Sequence, residues 1–255
     1  MLASKFRSQK NETWSSNLYA SCWLAITNSI ILSALVKTHG KAISFSPRLI
    51  LNSASCIQVF VHLFCSGHVD AGKSTLMGNV LYQLGHVSGK QLAKYQWEAQ
   101  KLGKASFAYA WVLDQTSEER TRGITMDIAQ TAFETNRKRV GKIQMSAFDV
   151  IGGAAQADVA LLVVNATAGE FETGMQVGGQ TQEHARLVRL LGVSCLIVVV
   201  NKMDTVSWSE ERFKEIKATM LAFLKTINQT TVAFCPVSGL LGVNLINSTN
   251  CPPEA

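Results

Sequence analysis

Two kinds of hydrophobic pattern alternate along residues 57–246. Continuous apolar runs at Ile57 to Cys65, Ala160 to Val164, Cys195 to Val200 and Val232 to Pro236 predict strands. The unbroken ALLVV and CLIVVV runs are those of strands buried on both faces, as in the middle of a parallel sheet. Between them the period changes. Ser74 to Leu84 places Leu76, Met77, Val80, Leu81 and Leu84 at helical spacing. Ser209 to Leu224 places Phe213, Ile216, Met220 and Phe223 on one helical face, after an acidic Ser-Glu-Glu start. Strands alternating with helices predict an α/β fold with a doubly wound, mostly parallel sheet, whose ligand lies at the carboxyl ends of the strands.

Residues 1–56 follow neither pattern. Leu18 to Val36 is uncharged and mostly apolar after Lys5, Arg7 and Lys10, which is the outline of a signal anchor. Ser21, Thr27, Asn28, Ser29 and Ser33 weaken a membrane span, so a poorly ordered or partly helical leader is the reading carried forward. Asn11-Glu12-Thr13 has the form of a glycosylation sequon, which carries no weight without secretion. The leader also explains the charge. The chain has a net charge of +6, but residues 1–56 hold six basic residues (Lys5, Arg7, Lys10, Lys37, Lys41, Arg48) against Glu12 alone, leaving 18 basic and 17 acidic residues beyond. Charge therefore supports no nucleic-acid face on the nucleotide-binding region. The mean hydropathy of +0.13 allows a substantial core. Cys22, Cys56, Cys65, Cys195, Cys235 and Cys251 form no C-x-x-C pair. Reduced thiols are expected, with Cys65 and Cys195 in buried strands.

Gly67-His68-Val69-Asp70-Ala71-Gly72-Lys73-Ser74 has the form G-x-x-x-x-G-K-[ST] and stands between a predicted strand and a predicted helix. In such a loop glycines let the backbone approach phosphate, and backbone N–H groups and the helix N-terminus face it. Lys73 would place its charge on the β- and γ-phosphates, and the Ser74 hydroxyl would ligate Mg²⁺. A phosphate loop does not choose the base. Asn201-Lys202-Met203-Asp204 follows directly on CLIVVV, at the ligand edge of the sheet. A carboxylate there can accept from guanine N1–H and N2–H₂, whereas adenine would leave Asp204 desolvated and unpaired. This argues against a generic ATPase or kinase. Lys202 can cover the base and Asn201 can tie this turn to the phosphate loop. Taken alone, the tetrapeptide also suits a surface turn. Ser238-Gly239-Leu240, after the last strand, would complete the base pocket through backbone N–H groups. Arg122-Gly123-Ile124-Thr125 offers Thr125 as a switch threonine for Mg²⁺, and reads equally as a turn leading into a strand.

These segments resemble a known family. Gly67 to Thr75, Gly103 to Asp114, Glu118 to Thr125, Gly152 to Asp158, Gly179-Gln-Thr-Gln-Glu-His184 and Asn201 to Asp204 are similar to the G domain of eukaryotic elongation factor one-alpha and its relatives. Lys104 to Asp114 looks most like the ribosome-rescue GTPase that partners Pelota, with termination factor three a near cousin. The resemblance implies a P-loop GTPase domain over residues 57–246, a tail at 247–255, GTP or GDP with Mg²⁺, and cytoplasmic work on the ribosome with a Pelota-like factor.

The sequence also departs from the family. The family has Asp-x-Pro-Gly-His after its third strand, its Asp in the Mg²⁺ shell and its His positioning the attacking water. Here the corresponding stretch reads Lys142-Ile-Gln-Met-Ser-Ala-Phe-Asp149-Val-Ile-Gly-Gly153, with Ser146 where that Asp stands. No catalytic residue is therefore assigned. A parallel crossover needs about a dozen residues, and Met145 to Asp158 leaves about that many. The chain also stops soon after Leu240, so the expected G domain is incomplete at its C-terminal helix. A truncated or alternatively spliced product without turnover is the second reading.

Overall fold

The structure is a computed structural model that describes residues 61–114, 129–134, 139–145, 157–193, 195–229 and 232–246, with the side chains of 61, 62, 129–134 and 139–145 left aside. Its elements are β1 (Val61–Gly67), α1 (Lys73–Gln83), α2 (Gly89–Lys101), β2 (Ala129–Glu134), β3 (Arg139–Met145), β4 (Val159–Asn165), α3 (Glu170–Met175), α4 (Gln180–Leu190), β5 (Cys195–Asn201), α5 (Glu210–Thr226) and β6 (Val232–Pro236). The strands form one six-stranded sheet in the order β2-β3-β1-β4-β5-β6. β3, β1, β4, β5 and β6 are mutually parallel and β2 runs antiparallel to β3. This is the α/β, mostly parallel sheet expected from the alternating periods. The chain winds one way from β1 to β3 and the other way through β4, β5 and β6, so the topological switch lies between β1 and β4.

The continuous apolar runs are explained by burial on both faces. Leu63, Cys65, Val159, Leu161, Val163, Cys195, Ile197 and Val199 face one core with Leu76, Met77, Val80 and Leu81 of α1. The intervening Phe64, Ala160, Leu162, Val164, Leu196, Val198 and Val200 face a second core with Phe171, Ala185, Val188, Phe213, Ile216, Met220 and Leu224. Because side chains alternate across a strand, two covered faces require an apolar residue at every position. Cys65, Cys195 and Cys235 are buried free thiols, as small hydrophobes would be.

Some boundaries moved by a residue or two. β1 runs on through Gly67, which pairs with Val163, and β5 runs on through Asn201, which pairs with Asn165. The first glycine of the phosphate loop and the first residue of the base motif thus belong to the ladder. α5 begins after Ser209, whose hydroxyl accepts from Arg212 N–H. α2 has no counterpart among the predicted elements, although Ser88 and Gln91 make a reciprocal capping box there. β2, α3 and α4 were not predicted either. β3 ends at Met145 and β4 starts at Val159, the limits expected for the crossover. Residues 1–56, Arg122 to Thr125, Ser146, Asp149 and the tail lie outside the described residues. Among the described residues no helix is long and apolar enough to cross a membrane.

Candidate functional site

The carboxyl ends of three parallel strands bring three segments to one edge. Gly67 ends β1, Asn201 ends β5 and Pro236 ends β6, with Val200 opposite Pro236 in the ladder. After β1 the chain makes a tight loop whose backbone only glycine permits at two points. Gly67 has φ +150° and a Cβ there would collide with the Val163 carbonyl. Gly72 has φ +84°, and a Cβ would lie 2.5 Å from the Asn201 amide nitrogen. Asp70 takes a left-handed conformation at the loop's exposed crest, φ 61°.

The loop delivers the chain into α1, whose start differs from those of α2 and α5. Ser88 and Ser209 cap those helices, and α5 adds Glu210 and Glu211 in its first turn. α1 begins at Gly72 with no side-chain cap and no acid in its first turn. An end of that kind is suited to an anion, which satisfies the N–H groups and meets the positive end of the helix dipole. Lys73 Nζ donates to the carbonyls of Gly67 (3.0 Å) and His68 (2.7 Å), so the ammonium is held within the loop. Burial holds Lys73 below the ordinary lysine value, with Cys65 and Asp70 acting in the opposite direction. Ser74 lies in the first turn of α1. Its hydroxyl is a hard oxygen donor of the kind Mg²⁺ accepts alongside phosphate and water.

The base side is assembled across longer distances. Asn201 is buried, and its side chain bridges the two loops: Nδ2 donates to the Ala71 carbonyl (2.8 Å), and Oδ1 accepts from Gly239 N–H (2.8 Å). Lys202 is left-handed, φ 62°, and its Cε lies within 4.0 Å of a Cβ position on Gly72, so its stem runs over the phosphate loop. Asp204 sits half-buried in a single turn of 3₁₀ helix (Met203–Val206) that is pinned by Met203 N–H to the Val237 carbonyl (3.1 Å). In the last loop, Ser238 N–H donates to Val243, Gly239 N–H to Asn201, and Leu241 N–H to the Ser238 hydroxyl. Among the described residues, Leu240 N–H has no acceptor within the chain.

The structure thus brings Gly67 to Thr75 together with Asn201, Lys202, Asp204 and Ser238 to Leu240. Thr125 lies outside the described residues. Two contributors were missed as such. Gln180, at the start of α4, accepts from Val69 N–H through Oε1 (3.1 Å). His184, one turn on and only 7% exposed, is buried beside the Gly67 backbone and the Lys73 ammonium. Burial, helped by the Lys73 charge and His68, lowers the His184 imidazole to about 4, with the Gly67 backbone acting in the opposite direction. Both residues stand in the segment that carried a family resemblance, yet nothing in their spacing says that α4 packs beneath the phosphate loop.

With this geometry in view, the comparisons with known proteins agree. Residues 59–249 match the family described as elongation factor Tu GTP binding domain. The chain belongs to that family. It is 53% identical over 199 residues to Protein HBS1 of Drosophila melanogaster, covering 75% of this chain and 30% of that protein. It is 46% identical over 200 residues to elongation factor 1-alpha of Sordaria macrospora, covering 75% and 44%. Among solved structures, the S. cerevisiae Ski7 GTPase-like domain bound to GTP matches with a TM-score of 0.68 and 25% identity, covering 76% of this chain and 47% of that one. Sup35 complexed with GDP matches at 0.55 and 33%, covering 83% and 45%. The chain spans less than half the length of these relatives. The G domain accounts for the matched region, and its fold is the one the strand order describes.

Proposed function

We propose that this G domain binds GTP and GDP with Mg²⁺ and serves a translational GTPase of the ribosome-rescue or elongation-factor type. The observation that carries the reading is the Asn201 side chain, which joins the Ala71 carbonyl of the phosphate loop to Gly239 of the last loop. One residue thereby fixes the distance between a phosphate cradle and a base pocket, as a nucleoside di- or triphosphate requires.

In this reading Gly67 to Thr75 cradle the phosphates, with Lys73 on the β- and γ-oxygens. Asp204 accepts from guanine N1–H and N2–H₂, Lys202 covers the ring, and the Ser238 to Leu240 loop closes the far side. Ser74 and Thr125 would ligate Mg²⁺, which when bound neutralises charge between the β- and γ-phosphates. The G domain is assigned to residues 57–246, with 1–56 a separate leader and 247–255 a tail. The ribosome and a Pelota-like factor are the proposed partners and the cytoplasm the proposed site of action, on the strength of the Lys104 to Asp114 resemblance and the 53% identity to Protein HBS1. GTP hydrolysis is the activity that family membership supports. A second reading, binding without turnover, is favoured by the absence of Asp-x-Pro-Gly-His from Lys142 to Gly153.

Titration of the purified chain with GTP, GDP and ATP tests the base assignment, with guanine nucleotides expected to bind at least about a hundredfold tighter. Equal affinity for ATP would overturn it. Single-turnover hydrolysis, with and without ribosomes, separates the two readings: stimulated turnover supports the enzyme, and background rates support the binding module.

A further inference from the structure

α1 carries the phosphate loop at one end, and two of its polar residues reach the base-side loop. Asn79 lies among Leu76, Met77, Val80 and Leu81 and is only 2% exposed. Its Nδ2 donates to the carbonyls of Gly239 (2.8 Å) and Leu240 (3.3 Å). Its Oδ1 accepts from Gln83 Nε2 (3.2 Å), and that same nitrogen donates to the Gly242 carbonyl (2.9 Å). Approach is close enough that a Cβ on Gly242 would collide with Gln83. A buried amide on an otherwise apolar helix face is costly unless its hydrogen bonds are made, and here both that it donates go to one loop.

The Gly239 carbonyl and the Leu240 N–H belong to the same peptide unit. That unit is planar and trans, so its C=O and N–H point in opposite directions. A hydrogen bond from Asn79 to the carbonyl therefore turns the Leu240 N–H away from α1. This is the N–H of the loop that, among the described residues, is not used within the chain. Gly239 N–H, one residue earlier, is fixed by Asn201 (2.8 Å). Asn201 thus holds the preceding peptide and Asn79 the one that presents the donor.

We propose that Asn79, supported by Gln83, is a specificity-determining positioning residue: it aims the Leu240 N–H at the 6-oxo group of the bound base. The inference rests on the guanine reading above, in which recognition has two parts, and what it adds is the residue that sets the second. Asp204 reads the N1 and N2 donors, while the Asn79-oriented peptide reads the acceptor at position 6. An amino group at position 6, as in adenine, offers that N–H no acceptor.

Two probes separate the parts. 6-Thio-GDP keeps N1–H and the 2-amino group but replaces the 6-oxygen by sulfur, a weaker acceptor. IDP keeps the 6-oxygen and N1–H but lacks the 2-amino group. The unaltered chain should prefer GDP to both. In Asn79→Leu, GDP affinity should fall about tenfold, the size of one lost hydrogen bond, through faster dissociation. The preference for GDP over 6-thio-GDP should shrink toward one, and the preference over IDP should be retained. Gln83→Ala, on the exposed side of α1, should act in the same direction by about threefold. The retained IDP preference also reports that the variant is folded with its site assembled. If Asn79→Leu does not fold, Gln83→Ala decides by the same ratios. Unchanged GDP to 6-thio-GDP ratios in the variants would overturn the proposal. No preference for GDP over IDP in the unaltered chain would instead overturn the guanine reading on which it rests.

Discussion

Every residue proposed to touch phosphate lies within Gly67 to Thr75, whereas the base side draws on Asn201 to Asp204, Ser238 to Leu240 and, through hydrogen bonds, Asn79 and Gln83 of α1. The phosphate side is a single strand–loop–helix turn. Its shape follows from glycines at two sterically closed positions and from a helix start without a cap or an acid. The base side is held by contacts between residues 38, 130 and 160 apart in sequence. A local turn can be specified by a short motif. A pocket made from three remote segments exists only once the sheet has placed their strand ends side by side.

This contrast can be broken most strongly at Lys73. Lys73→Ala removes the charge held at the Gly67 and His68 carbonyls, and GTP and GDP affinity measured by fluorescence titration should fall roughly a thousandfold. Guanine and adenine nucleotides should lose affinity alike, because the base side is intact. Normal GTP binding by this variant would mean that the loop is not the site.

Asp204→Asn probes the other half. The preference for GTP over ATP should collapse by about a hundredfold while phosphate-dependent binding persists. A variant that keeps full guanine preference would take base reading away from Asp204.

A third experiment asks whether α4 braces the phosphate side. His184 is neutral in the fold because its value is lowered to about 4, below that of an exposed histidine. Between these two values the unfolded chain binds the extra proton, so stability rises with pH and is lost as pH falls from about 6.5 toward 4. Urea melts should lose about 2 kcal/mol between pH 7 and pH 5 from this residue. A neutral His184→Gln chain should show a correspondingly flatter profile. Identical profiles for the two chains would remove His184 from the account.

The smallest effect is expected away from both halves. Arg212 of α5 donates to the Ala166 carbonyl (3.0 Å) and pairs with Glu172 and Glu215, both at 2.8 Å. These carboxylates are substantially exposed. Arg212→Met should therefore lower stability by only about 1 kcal/mol in chemical denaturation, and leave GDP affinity within about twofold. A large loss of nucleotide binding would show that the α3–α5 tie reaches the site after all.

The sequence by itself determined the two-sided strands and the amphipathic helices α1 and α5, and it marked out the segments proposed to hold phosphate and guanine. These signals are local: a period of two or 3.6, or a fixed spacing of glycine, lysine and hydroxyl. Ser88 to Gln91 was legible in the same way, as a capping box, and shows that α2 could have been read. The tertiary structure alone decided that Asn79 holds the Ser238 to Leu240 loop, that Gln180 holds the phosphate loop with His184 buried beside it, and that the Leu240 N–H has no acceptor among the described residues. An Asn on an apolar helix face announces only that some partner must satisfy its amide. Which backbone carbonyl does so depends on strand order and register, which bring β1 beside β4 and β6 beside β5. No spacing along the chain encodes that choice, because the contacts join segments whose separation is bridged by the sheet itself.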